Sequence, residues 1–144
     1  MTIQRRIGLG VAGGIFVVII PLLAMSCSRA RDVAESASQQ FRVQMTSGAY
    51  HEIMQSAASD FQNATSELDF AKAMDGVKQR LGAWQSAEAP AAKVFPGTGG
   101  QTVTLVYTSH FERGIAVEEF VWRIERGRPA LAGYRVKTAG VVAH

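Results

Sequence analysis

Between residues 102 and 125 apolar and polar side chains alternate with a period of two, the signature of half-buried strands. Folding this segment over Arg113-Gly114 as a two-residue turn pairs Phe111 with Ala116, Ser109 with Glu118, Tyr107 with Phe120, Leu105 with Trp122 and Val103 with Ile124. One face then collects nearly all the large apolar groups, while the other carries Thr102, Thr104, Thr108, Glu119, Arg123 and Glu125. A slip by one residue would scramble that sorting, so the pattern selects the register's parity. "ALAGYRVKT" predicts a further strand; with "RGR" as a three-residue loop, Ala130, Ala132, Tyr134 and Val136 extend the inner face. "AWQSAEA" predicts a short fourth strand, and "APAAKVFPGTGG", with two prolines and three glycines, a loop.

Upstream the period changes to that of helices. Val33, Ala37, Phe41 and Met45 recur at steps of four with Ala34 beside them, leaving Arg31, Glu35, Gln39 and Arg42 outside the stripe. Gly48 is placed to stop this helix. "AYHEIMQSAASDFQ" predicts a second helix with Tyr50, Ile53, Met54, Ala57 and Phe61 on one face. Ser66 and Asp69 approximate a capping box that opens a third, buried through Phe70, Ala73, Met74, Val77 and Leu81 and ended by Gly82. Helices first and strands afterwards predict an α+β domain, in which N-terminal helices pack on one face of a curved four-stranded antiparallel sheet.

The first 26 residues follow neither pattern. Arg5 and Arg6 precede an uncharged run from Ile7 to Ser26, which is the layout of an export signal with its arginines held on the cytoplasmic side. The run ends at Leu22-Leu23-Ala24-Met25-Ser26-Cys27, which resembles the bacterial lipobox. Ser26 fits the small residue before the cut; Ala24 departs from the usual leucine. Pro21 predicts a disrupted helix and an extended cleavage region. The resemblance implies diacylglycerol on the Cys27 thiol, cleavage before it and acylation (a palmitate-type chain) of the new amino group. The rival reading is an uncleaved anchor, since about 20 apolar residues can span a bilayer, although four glycines and Pro21 weaken such a helix. Both readings tether the domain to a membrane outside the cytoplasm. Serine rather than aspartate at position 28 implies, by the lipoprotein sorting rule, the outer membrane facing the periplasm in a cell that has one. The expected organisation is a signal peptide over 1–26, a lipidated cysteine and tether over 27–32, the domain over 33–138 and a tail over 139–144.

Composition changes the picture in one respect. The 144 residues are 47% hydrophobic and 19% charged, which excludes a disordered chain. The pI of 9.4 suggests a basic protein. Beyond Cys27, however, thirteen basic residues stand against twelve acidic ones, a net of only +1. No lysine and arginine cluster with interleaved aromatics remains, so a nucleic-acid surface is excluded. A single cysteine also excludes an internal disulfide and a multi-cysteine zinc site.

"SGAYHEIMQSAASDFQ…FAKAMDGVKQRLGAWQS" and "VYTSHFERGIAVEEFVWRIERGRPALAGYRVK" resemble a bacterial family catalogued as a domain of unknown function, number four-zero-one-nine. The resemblance spans residues 33 to 138 and is most specific at "RLG", the Tyr-Thr-Ser-x-Phe strand, Glu118 and Gly133-Tyr134. Pro129 stands where the family has a tryptophan, and Arg126-Gly127 where it has an acidic turn. The resemblance implies a cystatin-like or nuclear-transport-factor-like fold and supplies no activity.

The chemistry on offer is sparse. His51, His110 and His144 have no partner at ligand or triad spacing, and no HExxH, G-x-S-x-G or phosphate loop is present. "GTGG" follows no apolar strand and predicts a turn. No motif implies a cofactor, a metal or a catalytic residue. The exception is Glu118, alone among apolar neighbours on the inner face, with Ser109 opposite and Tyr107 and Tyr134 diagonal. A carboxylate in such surroundings suits an acid, a base or a ligand hook, or is simply hydrogen-bonded to a tyrosine or to Arg42. Two functions follow: a non-enzymatic, membrane-anchored domain that binds a protein or envelope component, or a small-molecule or catalytic pocket around Glu118, Tyr107, Ser109 and Tyr134.

Overall fold

The computed structural model describes residues 14–139, with side chains from residue 25 onward. Expectations that fall on residues 1–13 and on the tail beyond Ala139, His144 included, lie outside the described residues. Among the described residues, four helices precede five strands: α1 (Gly14–Ser47), α2 (Tyr50–Ser56), α3 (Ser59–Ala64), α4 (Glu67–Leu81), β1 (Trp84–Ala87), β2 (Ala91–Gly97), β3 (Gly100–Phe111), β4 (Gly114–Glu125) and β5 (Arg128–Thr138). The α+β class is as expected: helices cover one face of an antiparallel sheet and the other face is open.

The sheet has five strands rather than four. β1 and β2 lie end to end along the same edge of β3, β1 against Ser109–Phe111 and β2 against Gly100–Val106, so the sheet is four strands wide. The expected loop "APAAKVFPG" is therefore mostly strand. An edge strand pairs on one side only and tolerates proline. Pro96 sits opposite Gln101, and Pro90 falls in the gap between β1 and β2. Two glycines of "GTGG" are required by the turn: Gly99 has φ of 84°, and a Cβ on Gly100 would meet the Ile124 carbonyl oxygen at 2.3 Å.

The β3–β4 hairpin keeps the expected parity but slips by two residues. Its turn is Glu112-Arg113, so Phe111 faces Gly114, Ser109 faces Ala116, Tyr107 faces Glu118, Leu105 faces Phe120 and Val103 faces Trp122. A slip of two leaves every side chain on its face, which is why alternation did not detect it. The next turn is Arg126-Gly127, two residues rather than three, with φ of 52° and 72°. Two positive φ values are those of a type I′ turn, whose twist suits a hairpin. The inner face of β5 then departs from strict alternation. Leu131 faces Trp122 and is buried, and a bulge at Ala132 restores Tyr134 and Val136 to the inner side beside Phe120 and Glu118. Ala130 and Ala132, expected inside, are not part of the core.

Among the helices, α4 follows its pattern: the Ser66 side chain accepts the Asp69 N–H, and Phe70, Met74, Val77 and Leu81 are buried, while Ala73 is exposed. The expected second helix is two. The chain extends at Ala57 and Ala58, where the Ala58 N–H donates to the Leu131 carbonyl at 2.9 Å and the Gln62 amide donates to the Ala57 carbonyl. A bond to the sheet replaces one within the helix. α1 runs from Gly14 to Ser47 and so includes Pro21 and Cys27. The helix is held from Ala30 onward by the sheet and continues N-terminally past Pro21, giving up the hydrogen bond that proline cannot donate. Among the described residues, no helix is long and apolar enough to cross a membrane.

The buried face of α1 is Ala30, Ala34, Ser38, Phe41, Arg42 and Met45; Val33 and Ala37 are only half-buried. Small residues at 30, 34 and 38 let the helix lie close on the sheet. The Trp122 indole N–H donates to the Ser38 hydroxyl at 2.8 Å, which itself donates to the Ala34 carbonyl at 2.9 Å. Phe41 then packs edge-on against Phe120 (centroids 5.2 Å apart) and tilted against Tyr134 (4.6 Å), joining helix to sheet through an aromatic cluster.

Candidate functional site

Glu118 lies at the centre of the inner face, 2% exposed. Alternation along β4 points it inward between Ala116 and Phe120, and a charge buried to this depth needs donors for its oxygens. They have three. The Ser109 hydroxyl donates to Oε1 from β3, the Arg42 guanidinium donates to the same oxygen through Nη2 at 3.0 Å, and the Tyr134 hydroxyl donates to Oε2 from β5 at 2.7 Å. Ser109 and Tyr134 thus meet Glu118 as the sequence predicts, although the two-residue slip makes Ser109 diagonal and Tyr107 directly opposite. Burial, followed by the Glu118 charge, pushes the Tyr134 phenol well above its ordinary 10, so it is a fixed donor.

Tyr107 plays a different part from the one expected. It makes no hydrogen bond to Glu118. Its ring face lies 4.3 Å from the Arg42 guanidinium carbon, and Trp84 covers the same carbon at 4.6 Å. Arg42 is thus held between two aromatic faces, an arrangement that favours a delocalised cation.

Arg42 is read two ways from the sequence, as lying outside the helical stripe and as a hydrogen-bond partner for Glu118; the structure bears out the partnership and corrects the exposure. Assigned to the solvent side, it is 5% exposed and forms a buried ion pair with Glu118. The signal was a second run of four-residue steps, Ala30, Ala34, Ser38 and Arg42, beside the apolar one. Small residues in such a run mark close approach, and a long side chain at its end reaches across the gap they leave. Trp84, read only as part of a short strand, was missed.

A cavity of about 350 Å³ opens beside this cluster, at the end of the sheet remote from Cys27. Phe41, Met45, Val77 and Phe111 form its apolar walls, and Arg42, Trp84, Glu118 and Tyr134 line it as well. A larger cleft of about 780 Å³ lies at the opposite end near Ser59, Arg123 and Arg126. There Arg123 already pairs with Asp60, through bonds of 2.9 and 3.1 Å, and no buried charge is present.

The histidines stand apart. His51 pairs with Glu67 at 2.9 Å on the surface, and His110 lies on the open face 3.8 Å from Glu88. Among the described residues, no group of three or more His, Cys, Asp or Glu side chains is arranged to hold a metal ion. Cys27 is a free thiol, half-buried on α1. Comparison with models of protein families, with curated proteins and with solved structures returns no match.

Proposed function

We propose that this chain is a lipoprotein of the cell envelope, anchored to the membrane through Cys27, whose cystatin-like domain of the four-zero-one-nine type binds a ligand and performs no reaction. The observation that carries binding over catalysis is the state of Glu118. Its two oxygens take three hydrogen bonds, the one from Arg42 being also an ion pair, and its nearest hydroxyl, Ser109, is buried with it. A nucleophile must reach its substrate as well as have a base beside it; Ser109 has the carboxylate beside it but is 0% exposed and does not line the cavity. The cavity beside the cluster favours a small molecule over a protein as the bound species, at the lower end of the range of roughly 300–1,000 Å³ for such sites.

The anchor is supported by the lipobox-like run before Cys27 and by the free thiol. Two or three acyl chains suffice for stable attachment, whereas one chain does not. Intact mass of the membrane-extracted protein tests this. A mature chain beginning at Cys27 and carrying acyl mass is expected; an unprocessed chain, unchanged in Cys27→Ser, rules lipidation out. Thermal-shift screening of the purified chain against acids, amines and neutral compounds, with Glu118→Gln alongside, tests the pocket. Stabilisation of the native protein by some compound, altered in the variant, is expected. No shift from any class would sink the binding reading.

A further inference from the structure

The polar atoms around the cavity are unevenly satisfied. Glu118 has a donor on each oxygen, but Arg42 is scarcely engaged: of its three nitrogens only Nη2 has a partner, and Nε and Nη1 are buried without one. The Trp84 indole N–H is likewise buried and unpartnered. All three nitrogens belong to residues that line the cavity. Donors left in this state are costly, and buried groups in native proteins are otherwise almost always paired. The Tyr107 hydroxyl is buried without a partner too, but Tyr107 does not line the cavity; the unmet groups of the residues that do are all donors, so what they lack is an acceptor.

Charge narrows the class. Arg42, Lys78 and Arg113 line the cavity against Glu118 and Glu112, an excess of one positive charge. The Arg113 guanidinium is occupied by the last carbonyls of α4, those of Lys78, Gln79 and Arg80. A dianion would meet the fixed negative charge of Glu118, whereas a single negative charge balances the site. The remaining walls are aromatic and aliphatic. We infer that the cavity binds a small monocarboxylate with an apolar or aromatic body, its carboxylate received by the free N–H groups of Arg42 and Trp84 and its body lying against Phe41, Met45, Val77 and Phe111.

This inference rests on the binding reading and is tested apart from it. Calorimetric titration of the full chain in nanodiscs with 4-phenylbutyrate is expected to show saturable binding, with 4-phenylbutanol at least about tenfold weaker, because only the acid provides a charged acceptor. Trp84→Phe keeps the ring over Arg42 and removes only the N–H; it is expected to weaken the acid several-fold and leave the alcohol unchanged. Arg42→Met/Glu118→Gln removes both charges together, leaves no orphaned ion and is expected to abolish the preference for the acid. No binding of 4-phenylbutyrate, equal binding of the alcohol, or an acid affinity indifferent to Trp84→Phe overturns the inference. Where an amine or neutral compound from the screen binds and the acid does not, the ligand class is wrong and the binding domain stands.

Discussion

Arg42 and Glu118 show what a buried charge demands of its neighbours. An ion pair in the interior gains little over an apolar pair of the same shape, but removing one partner strands the other. Arg42→Met is therefore expected to lower the unfolding free energy by about 3–5 kcal/mol, and addition of Glu118→Gln to restore much of it; urea denaturation of the single and double variants measures both. The surface pair behaves differently. A hydrogen bond donated to the Glu67 carboxylate, then that carboxylate's charge, raises the His51 pKa above the ordinary 6.5. Because the folded value exceeds the unfolded one, the pair's contribution is complete below the ordinary value and is lost as pH rises through the raised one. NMR titration should find His51 titrating above 6.5 and returning toward it in Glu67→Gln. Glu118, Ser109 and Tyr134 were legible from alternation, since period two assigns a face to every strand residue. Arg42 was legible as a partner for Glu118 but not as a buried residue, because a helix with two adjacent candidate stripes does not say which one meets the sheet.

Whole elements were legible where a single pattern ruled them. α4 has a cap, a stripe and a stop, and the structure has the helix with those ends. The β3–β4 register was legible in parity only, because pairings that differ by two residues bury the same side chains. The bulge at Ala132 left no trace in the pattern. Two alanines at the inner positions satisfy alternation as well as Leu131 does, and only packing against Trp122 decides between them. The edge strand was hidden by its prolines. The Arg126-Gly127 turn carries a local cost that can be removed. Arginine at φ 52° is in the left-handed region, which asparagine tolerates better. Arg126→Asn is expected to stabilise the protein by up to about 1 kcal/mol, seen as a raised midpoint in thermal denaturation. No change, or a fall, would mean that the turn is strained by something other than its first residue.

For the molecule as a whole, the governing contact is α1 lying flat on the sheet. Ala34 is fully buried in that seam and Ser38, one turn on, bridges to Trp122. Ala34→Leu forces the helix away and is expected to cost about 1–3 kcal/mol, with a change in tryptophan emission as the indole N–H loses Ser38. An unaltered stability and spectrum would show that the seam has slack. The class of the fold was legible because segregated periods admit few layer arrangements; the open outer face and the interrupted edge were not, because they depend on pairing between distant segments.

Since α1 is unbroken from before Cys27 to beyond Arg42, those two residues are joined by a rod and not by a leash. Fifteen residues of α-helix amount to roughly 22 Å. With fat on the sulfur, the mouth of the cavity would stay within that reach of the headgroups, sampling only what drifts through a shallow stratum.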